Sequence, residues 1–217
     1  MISQTEENYL KALFSLTSQS GETSVNEVSK HLDLKMPTVN SMIKRLAEKN
    51  LVLYESYKPL KLTKEGKKQA ALIVRKHRLT ELFLVEKMGF SRDEVHSIAE
   101  QIEHIQSPEF FERMDKLLSY PKIDPHGSSI PDKDGNIASD HYLPLSTCHA
   151  GDIVTLMALQ QSSEQLLQFL SSKELPFGSV LQIRFLELFD NSMVITYGHN
   201  REEVLSREVC EMLLVLK

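Results

Sequence analysis

The residues best suited to chemistry in this chain are histidines and glutamates in two neighbouring stretches. His77 and Glu81 are four residues apart, so a helix would place both side chains on one face. The second stretch carries four more candidate metal ligands: His96, Glu100, Glu103 and His104. At about 100° per residue, these four positions would fall within a sector of roughly 100° on a single helix.

Such a stripe of carboxylates and imidazoles favours a bound cation. The carboxylates repel one another, and a divalent metal held by carboxylate oxygens and neutral imidazole nitrogens removes that repulsion. We therefore predict a divalent-metal site, and the alternative is a solvated acidic face with incidental histidines. The sequence has neither an HExxH motif nor a phosphate-binding glycine loop, so we do not expect an enzyme.

Two helices are expected to position these ligands. Thr63 is suited to the N-cap of a long helix over 64–88. Ser91 and Glu94 have the spacing of a capping box, which predicts a second helix over 91–107. The stripe of candidate ligands would lie on this second helix.

The N-terminal part of the chain has the pattern of a winged helix-turn-helix. Apolar residues at helical spacing predict a first helix over 5–18. Ser24 is suited to cap a second helix, and Pro37 lies in the first turn of a third. Short apolar runs at 51–55 and 60–63 enclose a polar tip, which predicts a β-hairpin wing. A domain of this kind can bind DNA, or it can serve contacts with other proteins.

Charged residues are unevenly distributed along the chain. Residues 1–78 carry 14 lysines and arginines against 8 acidic residues, whereas the remainder carries 11 against 22. A basic N-terminal third on an acidic body favours binding of a polyanion. Short polar side chains at the start of the third helix can reach base edges, and nearby cations can neutralise phosphates. The candidate DNA-binding residues are Lys35, Pro37, Thr38, Asn40, Ser41, Lys44, Arg45, Lys58, Lys61 and Lys64.

Beyond the candidate ligands the sequence changes character twice. Ser107 and Pro108 would begin an amphipathic helix to residue 118, whose apolar face forms a dimer interface or closes the core of one subunit. Residues 119–141 are rich in Pro, Gly, Ser and Asp, which indicates a linker. The remaining sequence favours strands. These are expected at 152–159, 180–188, 193–197 and 211–216, with a helix over 163–172.

The composition is that of an ordinary globular chain. Hydrophobic residues make up 41% and charged residues 25% of the 217 residues. The sequence has no signal-peptide pattern and no apolar run long enough to span a membrane, so we expect a cytoplasmic protein. Cys148 and Cys210 are far apart and outside any CxxC motif, which argues against a disulfide scaffold and a cysteine-bound zinc site.

Several short motifs occur in an order that resembles one protein family. They are Tyr9-Leu10-Lys11, Pro37-Thr38-Val39, Leu62-Thr63-Lys64-Glu65-Gly66, Lys76-His77-Arg78-Leu79 with Glu81, His96, Ala99-Glu100, Glu103-His104, Ser107, Pro125-His126-Gly127 and Ile130-Pro131. Together they strongly resemble the DtxR/MntR family of iron- and manganese-dependent repressors. The resemblance extends over essentially the whole chain, and the ordered set is far more specific than any one motif.

The resemblance implies a fold class and a function. The fold would be mainly α with a β wing: a winged helix-turn-helix over 1–72, a helical metal-binding and dimerisation domain with a linker over 73–141, and a small FeoA-type β-barrel over 142–217. The function would be that of a metal-dependent transcriptional repressor that binds palindromic operator DNA as a homodimer and controls metal-uptake genes. The alternative is a metal-independent winged-helix DNA-binding regulator.

The resemblance also implies two metal positions per subunit. The primary position would use Asn8, Glu100, Glu103 and His104, and the second would use His77, Glu81, His96 and His126, with Glu164 and Gln165 near family positions that ligate the second ion. The last two residues align only with a one-residue insertion, and they also fit exposed polar positions on a helix.

Two departures from the family pattern bear on the choice of metal. Family members commonly have Asp or Met where Asn8 stands, and a neutral amide oxygen is a weaker ligand than a carboxylate. Glu100 stands where iron-type members have Cys and manganese-type members have Glu. Because an oxygen ligand favours a hard ion, we expect Mn²⁺, with Fe²⁺ as the alternative.

Overall fold

The computed structural model describes residues 2–18, 20–137, 142–161 and 163–217. Its helices are α1 (Gln4–Thr17), α2 (Val25–Leu32), α3 (Met36–Glu48), α4 (Lys64–Met88), α5 (Arg92–Ile102), α6 (Pro108–Leu117), α7 (Glu164–Ser172) and α8 (Arg207–Met212). Its strands are β1 (Val52–Leu53), β2 (Lys61–Leu62), β3 (Leu143–Pro144), β4 (Ile153–Leu159), β5 (Val180–Leu186), β6 (Met193–Tyr197), β7 (Arg201–Leu205) and β8 (Leu213–Leu216). The expected linker ends at residue 141, which is also the expected domain boundary. Residues 138–141 lie outside the described residues.

Helices α1 to α3 and the hairpin of β1 and β2 form the N-terminal unit. Ser3 and Glu6 make a complete capping box at the start of α1. Ser24 and Glu27 make the predicted capping box at the start of α2. Asp33 follows α2 in the left-handed conformation, with φ of 52°, which lets the chain turn sharply towards α3. Because β1 and β2 pair antiparallel beyond α3, the winged helix-turn-helix prediction is confirmed.

Helix α4 belongs to two apolar cores. The core of the N-terminal unit comprises Tyr9, Leu10, Leu13, Val28, Val39, Ile43, Leu46, Leu51, Val52 and Leu60, together with Ala70 and Ile73 from α4. Further along the same helix, Leu79 and Leu82 pack in a second core against Phe111 and Met114 of α6. The long helix therefore fixes the N-terminal unit to the helical body that follows.

The wing packs closely against the start of α4. The Thr63 hydroxyl accepts a hydrogen bond from the N–H of Gly66 (2.9 Å), as expected for an N-cap. A Cβ atom at Gly66 would lie 1.9 Å from the carbonyl oxygen of Leu51. Only glycine therefore permits this approach between the helix and the backbone that leads into the wing.

Helix α5 is shorter than the sequence predicts. It ends at Ile102, whereas the prediction extended it to residue 107. Glu103 is the C-cap residue, and His104 lies in the turn that follows. The expectation that four ligands share one stripe of a single helix is therefore wrong for these two residues.

The helix that comes next prevents α5 from continuing through residue 107. At the start of α5 the N–H of Ser91 donates to the Glu94 carboxylate (2.9 Å), as predicted. At the other end, Ser107 adopts an extended conformation and caps α6, with Pro108 at the first helical position. A residue that precedes proline avoids the α conformation, so α5 cannot continue into α6 and the chain must turn between them.

The C-terminal unit is an antiparallel sheet of six strands packed with α7 and α8. The strand order is β3-β8-β4-β5-β6-β7, and neighbouring strands pair antiparallel. Its core includes Leu145, Val154, Leu156, Leu167, Leu170, Leu181, Ile183, Met193, Ile195, Leu205 and Val215. Among the described strands, β3 and β7 stand at opposite edges and do not pair with each other, so the small β-rich domain is present but its sheet is not closed.

Three elements of this unit are absent from the sequence prediction: the two-residue strand β3, strand β7 and helix α8. Strand β7 is an edge strand whose first two residues, Arg201 and Glu202, are exposed, so it lacks the apolar alternation of the predicted strands. Helix α8 occupies the beginning of the predicted strand 211–216, which leaves only β8 as strand. The remaining strands and α7 agree with the prediction to within two residues.

The structure also bears on membrane-spanning helices and on the two cysteines. None of the described helices is both long enough and apolar enough to cross a membrane. Cys148 and Cys210 are both buried as free thiols, in agreement with the prediction that the chain has no disulfide scaffold.

Candidate metal centre

Three candidate ligands converge between α4 and α5. His77 and Glu81, one turn apart on α4, together with His96 on α5, define the α4–α5 cluster. Nε2 of His77 lies 2.9 Å from Oε1 of Glu81 and 3.2 Å from Nδ1 of His96. Nδ1 of His96 lies 3.1 Å from the same Glu81 oxygen. The two α4 residues are buried, whereas 62% of the His96 side chain is exposed, so the cluster opens to solvent on one side.

The spacing of these three atoms fits a divalent metal ion. Ligand atoms at right angles around an ion bound at about 2.1 Å are separated by about 3 Å. One carboxylate oxygen and two imidazole nitrogens are also the donor types that transition metals accept. The structure therefore brings together three of the residues that the sequence proposed for the second metal position.

His126 is near enough to Glu81 to affect its charge, which makes it a fourth candidate ligand, although its ligand atoms are not among the three that converge. Its Nε2 is buried and has no hydrogen-bond partner among the described residues. Burial alone would raise the pKa of Glu81. Hydrogen bonds from His77 and His96, together with the charges of the His77 and His126 rings, outweigh the effect of burial and hold the pKa below its ordinary value. Since a buried nitrogen without a partner is costly, a metal ligand is a physically reasonable role for it.

The loop that carries His126 is fixed from behind. Oδ1 of Asp124 accepts the N–H groups of His126 (2.8 Å) and Ser128 (2.9 Å). Arg78 of α4 pairs with the other oxygen of Asp124 at 3.3 Å. This buried ion pair holds the loop against the helix that supplies the first two ligands of the α4–α5 cluster.

A second group lies where α1 meets the turn after α5. Glu7, Lys11, Glu100, Glu103 and His104 define the α1–turn cluster. Nδ1 of His104 lies 2.5 Å from Oε2 of Glu7. Nζ of Lys11 lies 2.8 Å and 3.0 Å from the two Glu103 oxygens and 3.4 Å from Glu100. Because Glu103 is fully buried, its charge depends on such partners.

His77 joins the two clusters. Its Nδ1 lies 2.5 Å from a Glu103 oxygen, while its Nε2 faces Glu81. Burial alone would lower the pKa of His77, but the hydrogen bonds to Glu103 and Glu81 outweigh it and raise the pKa to about 8. Burial would likewise raise the pKa of Glu103, yet hydrogen bonds from His77 and Lys11 hold it below its ordinary value. The contacts within the chain therefore pair these carboxylates with the His77 imidazolium and the Lys11 ammonium.

The structure brings Glu7 to the α1–turn cluster, whereas Asn8 was the residue expected from α1. Asn8 is exposed, and Glu7 is the residue that contacts His104. Sequence reasoning missed Glu7, although a signal was available. Glu7 is three residues before Leu10, on the buried side of α1, where every other buried residue except Glu6 is apolar. A carboxylate in such a position needs a buried partner.

The structure does not join the other two expected ligands to either cluster. Glu164 and Gln165 are both exposed on α7, and Glu164 accepts a hydrogen bond from Gln168 of the same helix (2.8 Å). The C-terminal unit nevertheless comes close to the α4–α5 cluster, because the N–H of Leu159 donates to the carbonyl of Gly127, next to His126.

The candidate DNA-binding residues lie on the surface of α3, the wing and the start of α4. Asn40 is half-buried, and the other nine are exposed. Three of the cations take part in ion pairs within the chain: Arg45 with Glu6 (3.0 Å), Lys58 with Glu55 (2.5 Å) and Lys61 with Glu22 (3.0 Å). Exposed ion pairs are worth little, so the cations of the latter two pairs remain available to phosphates.

Glu6 joins α1 to α3. Its buried Oε1 lies 2.7 Å from Nζ of Lys49 and 3.0 Å from Nε of Arg45. Burial would raise the pKa of Glu6, but hydrogen bonds from Lys49 and from the N-cap residue lower it to about 2. The next residue, Glu7, contacts His104. Two consecutive residues of α1 therefore connect α3 with the α1–turn cluster.

Comparison with known proteins identifies the family of the N-terminal and helical parts. Residues 1–60 match the family described as "Iron dependent repressor, N-terminal DNA binding domain". Residues 63–132 match the family described as "Iron dependent repressor, metal binding and dimerisation domain". These two matches are consecutive, and together they cover more than half of the chain.

Individual relatives agree with these matches. The iron-dependent repressor IdeR of Mycobacterium tuberculosis is 32% identical over 127 residues, which are 58% of this chain and 55% of that protein. The chain thus spans about half the length of this relative. The diphtheria toxin repressor of Corynebacterium diphtheriae is 27% identical over 205 residues, which are 92% of this chain and 91% of that protein.

Solved structures resemble the chain over nearly its whole length. A manganese-dependent transcriptional repressor in complex with manganese has a TM-score of 0.76 at 28% identity and covers 97% of this chain and 99% of its own. The manganese regulator SloR has a TM-score of 0.67 at 30% identity and covers 98% of both chains. The chain therefore belongs to the DtxR/MntR family of iron- and manganese-dependent transcriptional repressors.

Proposed function

We propose that this protein represses transcription when a divalent metal is available. It acts in the cytoplasm as a homodimer that binds palindromic operator DNA when loaded with Mn²⁺, or with Fe²⁺, and it controls metal-uptake genes. We assign residues 1–72 to DNA binding, 73–141 to metal binding and dimerisation, and 142–217 to the C-terminal domain. The family membership and the manganese and iron dependence stated in the names of its relatives support this proposal.

The observation that carries the proposal is the pair of contacts made by consecutive residues of α1. Glu6 holds Lys49 and Arg45 at the end of α3, which carries the candidate base-reading residues. Glu7 contacts His104 in the α1–turn cluster. A change in the ligands of this cluster is therefore transmitted to α3 through a single helical turn.

We assign two metal positions to the two clusters. The α1–turn cluster supplies the primary position, and the α4–α5 cluster with His126 supplies the second. From α1, Glu7 is the ligand that the contacts favour, and Asn8 is the one that the family pattern favours. Glu164 and Gln165 stay outside the assignment because both are exposed on α7. Carboxylates outnumber imidazoles at the primary position, which supports a hard ion such as Mn²⁺.

The chain's own residues convert metal binding into DNA affinity. A bound divalent ion supplies the positive charge that carboxylates from α1 and from the turn after α5 can share. In a twofold dimer, the orientation of α1 sets the separation of the two α3 helices, which must approach about 34 Å to enter successive major grooves. A coupling of about 1–3 kcal/mol per site changes DNA affinity about 5- to 150-fold.

A DNA-binding titration tests the proposal. Duplexes that bind the protein in the presence of Mn²⁺ are selected from a random library, and affinity for the enriched duplex is then measured by fluorescence anisotropy at one salt concentration. We expect Mn²⁺ to tighten binding by the wild-type protein, and we expect Glu103→Ala to abolish most of that gain. Glu86→Ala is the matched control, because Glu86 is an exposed glutamate near the end of α4.

A different outcome would favour the alternative function. If wild-type and Glu103→Ala proteins bind the selected duplex equally well with and without Mn²⁺ or Fe²⁺, the protein is a metal-independent winged-helix regulator and the proposal is wrong. Unchanged thermal stability on addition of either ion to the metal-stripped protein would point the same way.

A further inference from the structure

The cation among the carboxylates of the α1–turn cluster is a lysine of the chain itself. Nζ of Lys11 lies within 3.0 Å of both Glu103 oxygens and 3.4 Å from Glu100. The Glu103 side chain is fully buried, whereas 21% of the Lys11 side chain is exposed. The ammonium therefore reaches the buried carboxylate from the solvent side, on the long and flexible stem of a lysine.

This ammonium and a metal ion require the same oxygens. A lysine ammonium has three donors and no lone pair, so it cannot itself become a metal ligand. Two positive centres beside one buried carboxylate repel each other strongly, because little water is present to screen them. Because Lys11 contacts both Glu103 oxygens, coordination of Glu103 to an ion in the same cluster must displace at least one of these contacts, and the two cations compete for the carboxylate.

We propose that Lys11 is a tethered competitor that sets the metal concentration at which the α1–turn cluster fills. This inference rests on the proposed function, because it takes Glu100 and Glu103 as metal ligands. Lys11 must give up at least one Glu103 oxygen before Glu103 can bind metal, and the exposed part of its side chain gives it a path into solvent. The apparent affinity equals the intrinsic affinity multiplied by the fraction of molecules in which Lys11 has already moved away.

A competitor differs from a purely structural lysine in one measurable respect. Removal of the Lys11 charge leaves the buried Glu103 with fewer partners, so the metal-free protein becomes less stable in either case. A structural lysine would also support metal binding, so its loss would weaken the affinity for metal. The loss of a competitor instead tightens the affinity while the stability of the metal-free protein falls.

Isothermal titration with Mn²⁺ in the absence of DNA tests this inference. The proteins compared are wild type, Lys11→Met, Lys11→Arg and the control Lys87→Met, which removes an exposed lysine in the last turn of α4. The binding step of interest is the one that Glu103→Ala removes. We expect Lys11→Met to tighten that step at least tenfold, equivalent to about 1.4 kcal/mol. We expect the two other variants to bind no more tightly than wild type.

Thermal unfolding of the same proteins supplies the second measurement. We expect the metal-free Lys11→Met protein to unfold at a lower temperature than wild type, and to gain more from saturating Mn²⁺. Lys11→Gln, which keeps a hydrogen-bond donor without the charge, replaces it if Lys11→Met does not fold. Affinity in the neutral variant that is unchanged or weaker would overturn the inference.

The outcome also separates this inference from the proposed function. If Lys11→Met binds Mn²⁺ more tightly but DNA binding does not respond to the ion, the competitor role stands and the proposed function fails. If DNA binding responds to Mn²⁺ and the variant binds the ion no more tightly, the proposed function stands and the competitor role fails. If wild type binds neither Mn²⁺ nor Fe²⁺, both are wrong.

Discussion

Single residues in the candidate centre differ in how their polar atoms are satisfied. Glu103 is fully buried: its Oε2 contacts both His77 and Lys11, whereas its Oε1 has an ion pair with Lys11 and no hydrogen bond among the described residues. His126 is different, because its buried Nε2 has no partner among the described residues. An unsatisfied buried polar atom costs about 1–3 kcal/mol. The stability of the fold therefore does not explain why a histidine occupies position 126.

We therefore expect His126→Phe to weaken metal binding without lowering the stability of the protein. The substitution keeps a flat ring but removes the unsatisfied nitrogen, so we expect the metal-free protein to be at least as stable as wild type. We expect Mn²⁺ affinity at the α4–α5 cluster to fall by at least about tenfold, the lower end of the loss typical of groups that support a metal site. Calorimetric unfolding and Mn²⁺ titration measure the two effects.

The matched control for this substitution is His149→Phe. His149 is exposed in the C-terminal unit, so the same exchange there should change neither quantity. If His126→Phe lowers stability and leaves Mn²⁺ affinity unchanged, His126 is a structural residue and not a ligand.

Among the elements, α4 determines how the rest are arranged. It contributes to the core of the N-terminal unit and to the second core with α6, and it carries His77 and Glu81 between them. Its first turn lies directly against the wing, since a Cβ atom at Gly66 would lie 1.9 Å from the carbonyl oxygen of Leu51. The wing therefore has a fixed position relative to the ligands on α4.

Gly66→Ala tests this close packing. Alanine is favoured over glycine inside a helix by about 1 kcal/mol, so helix propensity alone predicts a more stable protein. Because the new methyl group would clash with backbone, we instead expect a loss of about 1–3 kcal/mol in the free energy of unfolding, measured with urea. Lys67→Ala at the next, exposed position should cause little change. A Gly66→Ala protein as stable as wild type would show that the wing is not packed in this way.

Helix starts could be predicted from the sequence because the capping residues that mark them lie within or next to the helix itself. Ser24, Thr63 and Ser91 start helices where their capping patterns indicate, because a cap satisfies N–H groups only three or four residues away. The end of α5 at Ile102 was not predicted, because α5 carries no local stop signal there and the cap of the following helix at Ser107 sets only its outer limit. Strand β7 was missed because an edge strand needs little apolar sequence.

In the candidate centre, too, the contacts within one helix could be predicted from the sequence, whereas the contacts between distant segments could not. His77 and Glu81 could be paired from their spacing on one helix, and their approach to His96 follows from the packing of α4 against α5. The roles of Glu7 and Lys11 depend on contacts with residues about 90 positions later in the chain. No local pattern encodes such contacts. The family pattern points to α1 as the source of a ligand, but it favours Asn8 over Glu7.

At the scale of the whole molecule, all three units meet around the candidate centre. The N-terminal unit reaches it through Glu7 and Lys11. The C-terminal unit reaches it at Gly127, where a Cβ atom would lie 2.8 Å from Cζ of Phe177 and 2.9 Å from Cγ of Leu159. Changes at the centre can therefore alter how both outer units are held by the helical body between them.

Glu6→Gln separates metal binding from its effect on DNA binding. Glu6 pairs with Arg45 of α3 and with its C-cap residue Lys49, and it is not a member of either cluster, so we expect Mn²⁺ affinity in the absence of DNA to stay close to the wild-type value. We expect the Mn²⁺-induced gain in DNA affinity to shrink, because α1 no longer fixes the orientation of α3. By reciprocity, bound DNA should then tighten Mn²⁺ binding less than it does in wild type. Glu48→Gln, at an exposed position of α3, is the control. Full reciprocal coupling in Glu6→Gln would mean that the signal reaches α3 by a route that does not pass through the start of α1.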